Sequence, residues 1–432
     1  MVNIIVCGMW GISMDKPVWI QNAAQLITLK HESKGPRTKE AMSVLSIIEG
    51  GSVWIENGVI QMVGTMQQLI PYCTPRAAEA IVVDATGKIV TPGLIDSHTH
   101  IVHGGSREYE FEQRIQGKSY MDILNEGGGI LATARKTREL SEEHIYNATA
   151  QRLDSFLKHG VTTIESKSGY GLELEMELKQ LHIMQRLNDN HPIEIVPTFM
   201  GAHAIPERYK DNPEGYVDEI IDVMLPRVAE EGLAKFCDVF CEESVFTPAQ
   251  AERILEAAKS YGMIPKIHAD EMVLSHGAIV AAKVGAISAE HLLKTDDAGI
   301  QALAEAGVIA CLLPAAALCL QEPPARARAM IDAGVPIAIS TECNPGSSPT
   351  TSMPLVMNLA CVMMRMSPAE AICAATYNAA CAIGMEEKVG SIEVGKQADI
   401  VIWNVRNYQK LHYIFGVNHV NEVWKKGVRV VG

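Results

Sequence analysis

Two rhythms of apolar and polar residues divide this chain. Near the start, short β-like runs are broken by glycine: Ser52-Val-Trp-Ile-Glu, then Asn57-Gly, then Val59-Ile-Gln-Met-Val. Alternation around an Asn-Gly pair predicts a hairpin, because both residues accept the positive φ of a tight two-residue turn. The signature returns at the other end, where Ala398-Asp-Ile-Val-Ile-Trp predicts a strand and Val423-Trp-Lys-Lys-Gly-Val-Arg-Val-Val a hairpin. A chain that is β at both ends but not in the middle predicts one small sheet domain assembled from both.

The middle repeats helix, glycine, strand. Ser141 caps a helix with Ile145, Ala148, Leu153 and Phe156 at helical spacing; Gly160 stops it and Val161-Thr-Thr-Ile follows as a strand. Thr247 caps the next unit, with Pro248 at the first helical position, Gly262 at its end and Ile264-Pro-Lys-Ile-His as the strand. Asp297 to Ala306 with Val308-Ile-Ala-Cys-Leu, and Ala325 to Ala333 with Val335-Pro-Ile-Ala-Ile-Ser, continue the series. Such units make parallel sheets, and strands this apolar are covered on both faces. The pattern therefore favours the α/β class, as a closed (β/α)8 TIM-like barrel over a doubly wound sheet. The expected division is 1–90 and 386–432 as the two parts of a small β-sandwich, with a catalytic barrel over 91–385.

Composition narrows the partners. With 37 Lys+Arg against 51 Asp+Glu, the net charge of −14 speaks against nucleic acid. No apolar run approaches the roughly 20 residues of a membrane span. The opening MVNIIVCGMW lacks the basic region of a secretory signal, so a cytoplasmic protein with no membrane partner is expected. The ten Cys are scattered (Cys7, Cys73, Cys237, Cys241, Cys311 and Cys319 among them) with no CxxC pair, which predicts buried free thiols.

In a parallel barrel, reactive side chains follow the C-terminal ends of the strands. The strand from Lys88 to Asp96 runs into Ser97-His98-Thr99-His100. Two His two apart on an extended segment point the same way and can reach one ion. The strand at Ile264 ends in His268-Ala-Asp-Glu271, that at Ala286 in Glu290-His291, and that at Val335 in Thr341-Glu342-Cys343-Asn344. Imidazole and carboxylate ligands without thiolate suit one divalent ion, Zn2+ or Fe2+. His103, His144, His191, His276 and His412 lack such a setting and read as surface or packing residues.

Ile89-Val-Thr-Pro-Gly-Leu-Ile-Asp-Ser-His-Thr-His resembles the opening strand of the metal-dependent amidohydrolase superfamily, and Val389-Gly-Ser-Ile-Glu-Val-Gly-Lys-Gln-Ala-Asp-Ile-Val-Ile-Trp its return into a small sheet domain. Gly104-Gly-Ser-Arg-Glu, Gly127-Gly-Gly-Ile-Leu, Glu165-Ser-Lys-Ser-Gly-Tyr-Gly-Leu, Phe199-Met-Gly-Ala-His-Ala-Ile-Pro, Lys266-Ile-His-Ala-Asp-Glu and Asn344-Pro-Gly-Ser-Ser-Pro-Thr narrow the resemblance. They are similar to the branch that hydrolyses 4-imidazolone-5-propanoate to N-formimidoyl-L-glutamate in histidine degradation. The resemblance implies a metal held by His98, His100, His268 and Glu342. It implies substrate contacts at Arg107, Tyr170, His203, Asn344, Gly346 and Ser347, catalytic roles for Glu271, His291 and Glu342, and a homodimer. Arg107 suits the propanoate, the one full charge of a small anionic imidazolone substrate. Gly346 and Ser347 suit a close backbone approach to a planar ring. Lys167 reads as structural or ion-paired.

Three departures from that family stand out. Glu342 replaces an aspartate and moves the carboxylate outward by about 1.5 Å. Leu313-Pro-Ala-Ala-Ala-Leu-Cys-Leu-Gln replaces a Gly-Thr pair and an aromatic after the proline, in a loop expected to line the pocket, and Ser97 replaces a proline. They leave two alternatives: a paralogue acting on another small imidazolone, hydantoin or exocyclic amine through a pocket reshaped by Ala315 to Ala317, or a weakly active metal- or anion-binding homologue.

Overall fold

In the computed structural model, which describes residues 16–32, 34–118, 122–123 and 126–432, eight parallel strands follow one another in sequence order. They are Leu94–Asp96, Val161–Lys167, Glu194–Ala202, Phe236–Cys241, Ile264–Ala269, Ser288–His291, Ile309–Leu312 and Ile337–Ile339. Beyond the last strand residues, Glu342 N–H donates to His98 O at 3.1 Å and His100 N–H to Cys343 O at 3.0 Å, joining the first strand to the eighth. The helix–glycine–strand units fall where the apolar spacing put them. Ser141 Oγ accepts from His144 N–H ahead of Glu142–Lys158, and Thr247 with Gln250 makes a capping box ahead of Pro248–Ser260, each cap stabilising by about 1 kcal/mol.

The strand expected from Lys88 to Asp96 is two strands in two sheets. Ile89–Pro92 belongs to the small domain and Leu94–Asp96 to the barrel. Gly93 is the joint: a Cβ there would collide with the Thr162 side chain, so only glycine lets the chain cross so close to the second barrel strand.

Both chain ends build the small domain. One sheet has the order Val59–Thr65, Gly51–Glu56, Val18–Ala23, Ile81–Asp84; the other has the order Val428–Val431, Val420–Lys425, Ile400–Trp403, Ile89–Pro92, Gln25–Ile27, Ile47–Ile48. Ile400 and Ile402 face the first sheet's Val18, Ile20, Val53 and Ile55, whereas Val401 and Trp403 join the barrel core. The period of two thus serves both domains from one strand. An ion-pair cluster reinforces the seam: Lys425 and Asp399, both buried, meet at 2.7 Å, Lys425 lies 3.4 Å from Glu194 on the third barrel strand, and half-exposed Lys388 meets Glu194 at 2.5 Å. The nine described cysteines are free thiols, Cys237 and Cys241 buried in the fourth strand; Cys7 lies outside the described residues. Among the described residues no helix is long and apolar enough to cross a membrane.

Candidate active site

Four strand ends converge at the floor of one cavity of about 720 Å³. The rings of His98 and His268 lie 4.6 Å apart, those of His98 and His100 5.3 Å, and those of His268 and His291 5.1 Å. Asp270, His291 and Glu342 adopt positive φ (53°, 67° and 59°), a conformation that costs a non-glycine residue about 1 kcal/mol or more and gathers at functional sites. It breaks strand geometry just where His291 and Glu342 turn toward the cavity, whereas Asp270 accepts from the N–H groups of Ser275 and Gly277.

Burial, then the cations and rings around them, pushes His98, His100 and His291 well below the usual imidazole range, so all three are neutral and keep a lone pair. Both ring nitrogens of His98, Nδ1 of His100, Nε2 of His291 and Oε2 of Glu342 are buried with no hydrogen-bond partner. Orphaned neutral imidazoles beside a carboxylate fit a divalent ion, since an unmade buried hydrogen bond otherwise costs about 1–3 kcal/mol each. Donor atoms of His98, His100 and Glu342 lie within 4.8 Å of one another, as do those of His98, His268 and His291.

His268 is aimed by a chain of buried charges that sequence reasoning missed. Its Nδ1 lies 3.0 Å from Asp238 Oδ1, which also accepts from its backbone N–H at 3.2 Å. Lys167 Nζ sits 2.7 Å from Asp238 Oδ2 and 2.8 Å from Glu165, all inside the barrel. Lys167 is therefore ion-paired, as expected. Glu290, at the same strand end as His291, pairs inside the barrel with Lys266 at 3.1 Å. The signal for these residues was present, since Asp238, Lys266 and Glu290 are charges within otherwise apolar strands.

Above the ring cluster lie the other expected residues. Tyr170 and His203 line the cavity, with His203 stacked on His100 at 4.9 Å and its Nδ1 3.0 Å from Gly169 O. Arg107 lines the cavity too, with its Nε buried and unpartnered and Nη1 3.7 Å from Glu110. The space left by the missing Cβ of Gly346 is filled by the Arg107 guanidinium, not left for a planar ring. The N–H groups of Gly346 and Ser347 both donate to Asn344 Oδ1, at 2.7 and 2.8 Å. Asn344 thus shapes the loop, and Ser347 Oγ, 3.2 Å from Glu342 Oε1, steadies the carboxylate.

Glu271 faces the cavity with its carboxyl pushed up to about 8, first by burial and then by the charge of Glu242. Glu242 in turn accepts from the N–H groups of Glu271, Met272 and Val273 at 3.0–3.1 Å and so folds this loop over the site. The segment after Leu313 departs from expectation. It forms a helix, Pro314–Leu320, whose Ala315, Ala316 and Ala317 are buried in the core, and the cavity wall comes from Cys319 to Glu322 instead.

A barrel whose strand ends gather neutral imidazoles and a carboxylate under an accessible cavity defines a metal-dependent hydrolase. The sequence model of the amidohydrolase family matches residues 89–430. Proteins named imidazolonepropionase are similar over nearly their whole length. That of Geobacillus sp. (strain WCH70) is 56% identical over 416 residues, covering 96% of this chain and 98% of the relative. That of Brevibacillus brevis is 56% identical over 418 residues, covering 97% and 99%. Among solved structures, an adenosine deaminase from Xanthomonas campestris with bound zinc superposes with a TM-score of 0.70 at 19% identity, covering 96% of this chain and 92% of that one. The E. coli guanine deaminase gives 0.72 at 14% identity, covering 96% and 98%. These two show the fold. The chain belongs to the amidohydrolase family and, within it, to the imidazolonepropionases.

Proposed function

We propose that this chain opens the ring of 4-imidazolone-5-propanoate by hydrolysis, giving N-formimidoyl-L-glutamate. The observation that carries the reading is Arg107 with its unpartnered Nε in the same cavity as the orphaned imidazoles. A guanidinium whose Nε has no partner, in the same cavity as the imidazoles and in a protein of net charge −14, is what a small carboxylate substrate needs.

In this reading His98, His100, His268 and Glu342 hold one divalent ion, Zn2+ or Fe2+. Such an ion supplies Lewis acidity and a water that loses a proton near neutral pH. Arg107 binds the propanoate and sets the ring's position, with Tyr170 and His203 against its edge. Glu271 takes the proton from water as its oxygen attacks the ring carbonyl carbon. A carboxyl whose proton affinity is this high holds that proton and hands it to the ring nitrogen as the C–N bond breaks. Neutral His291 donates a hydrogen bond to the carbonyl oxygen as negative charge gathers there. Asn344, through its bonds to Gly346 and Ser347, fixes the loop against which Arg107 and Glu342 lie.

The reading includes the 1–90, 91–385 and 386–432 division, a cytoplasmic location consistent with free thiols, and a homodimer. Its test is a steady-state ring-opening assay on purified protein of known metal content. Turnover of imidazolone propanoate that tracks bound metal supports the reading, and no turnover with one ion per chain overturns it.

A further inference from the structure

We infer that this chain carries a second divalent-cation site, made by Glu271, His291 and Glu342, and that filling it switches the enzyme off. The inference rests on the one-ion reading of the first site, and not on which substrate is opened.

Donor atoms of these three side chains all lie within 4.8 Å of one another. Ligands held about 2.1 Å from a tetrahedral ion stand about 3.4 Å apart, so small side-chain rotations close the set. The His291 ring stands between two carboxylates, its Nδ1 3.6 Å from Glu271 Oε1 and its Nε2 3.7 Å from Glu342 Oε1. Both distances are too long for hydrogen bonds. A neutral imidazole has one N–H and can answer only one carboxylate, whereas a cation answers both and takes the ring's lone pair as well. His291 is 1% exposed, and its Nε2 and Glu342 Oε2 have no partner.

Glu342 also belongs to the His98–His100 group, so one side chain faces both clusters. Its two carboxylate oxygens allow it to serve one ion with each. All three residues line the cavity, which gives an ion from solvent a way in. The second site differs from the first in what it costs: its ligands are the groups that carry the proton and steady the carbonyl oxygen. An ion bound there occupies Glu271, which can then no longer accept a proton.

The experiment titrates one-ion enzyme with Zn2+, counting bound zinc by elemental mass spectrometry and turnover in parallel. Bound zinc is expected to rise from one to two per chain while turnover falls by about 100-fold or more, the usual contribution of a general base. Glu271→Gln is expected to keep the first ion and to stop at one. Cobalt(II) gives an independent readout: the second equivalent should add visible absorption in the wild type and none in Glu271→Gln. Uptake ending at one ion in the wild type overturns the inference, as does a second ion retained by Glu271→Gln. If two ions bind but the one-ion protein does not open imidazolone propanoate, the substrate reading falls and the cation site stands.

Discussion

Asp238→Asn exchanges one buried carboxylate oxygen for an amide nitrogen at the junction of two contacts. Burial opposes ionisation of Asp238, but His268 and Lys167 outweigh it and hold the carboxyl far below its usual range. One oxygen serves His268 at 3.0 Å through Nδ1 and at 3.2 Å through the backbone; the other meets Lys167 at 2.7 Å. If the asparagine oxygen stays with His268, its NH2 group points at the Lys167 ammonium, donor against donor, where neither reaches water. Breaking a buried pair costs about 3–5 kcal/mol. Lys167 keeps Glu165 at 2.8 Å, so the lower end, about 3 kcal/mol, is expected. His268 also loses its charged partner, which should weaken metal binding by about 10- to 100-fold. Urea denaturation measures the first effect and competition with a chelator the second. Adding Lys167→Met would strip buried Glu165 of its ammonium as well, so the double variant should be less stable still. A variant that binds metal like the wild type and loses less than about 1 kcal/mol would refute the claim that Asp238 aims His268.

Arg107→Ala should lower kcat/KM by about 10- to 150-fold, mostly through KM, from the loss of a charge-assisted pair of about 1.5–3 kcal/mol; an unchanged KM removes Arg107 from carboxylate binding. Glu342→Asp draws the carboxylate back by about 1.5 Å, away from Ser347 Oγ, so kcat should fall; a rise would mean that the site is not built around the longer side chain. Glu194 lies at about 2 because Lys425 and Lys388 more than reverse the upward push of burial, against an ordinary 4.5. A depressed carboxyl stabilises the fold above its unfolded pKa and loses that contribution as pH falls toward the folded one. Glu194→Gln should therefore cost at most about 3 kcal/mol at pH 6, and its difference from the wild type should shrink between pH 5 and pH 3 in urea titrations. A difference independent of pH would show that packing, not charge, accounts for it.

The barrel was legible because a helix ended by glycine and followed by an apolar strand leaves little choice of architecture, as at Ser141–Gly160 and Thr247–Gly262. The convergence of the strand ends carrying His98, His100, His268, His291 and Glu342 was legible for the same reason, once the strands were placed. Hidden from the sequence was the break at Gly93, because apolar residues continue on both sides and only the third dimension shows that Thr162 occupies the Cβ position. The buried Lys167–Asp238–His268 chain was also missed, since pairing between the second, fourth and fifth strands depends on barrel curvature rather than on local spacing. Gly346 carried a true signal, the need for no Cβ, but the sequence could not say that Arg107 fills the gap. Ala315 to Ala317 misled because a change of residue type after a strand was read as a change in the pocket wall.

The passage of one apolar run from sandwich to barrel has a consequence for the order in which the enzyme matures. Ile89–Pro92 pairs with Ile400–Trp403, made roughly 300 residues later. During synthesis, the segment leading into His98 and His100 can pair at once with Gln25–Ile27 but must wait for its other neighbour, Ile400–Trp403, while the rest of the barrel emerges. Contacts of such long sequence separation form late and slowly. Metal capture by the newborn chain should thus mark completion of its C-terminal strands, and a ribosome-bound chain ending before Ile400 should bind a divalent ion poorly even with His98, His100, His268 and Glu342 already made.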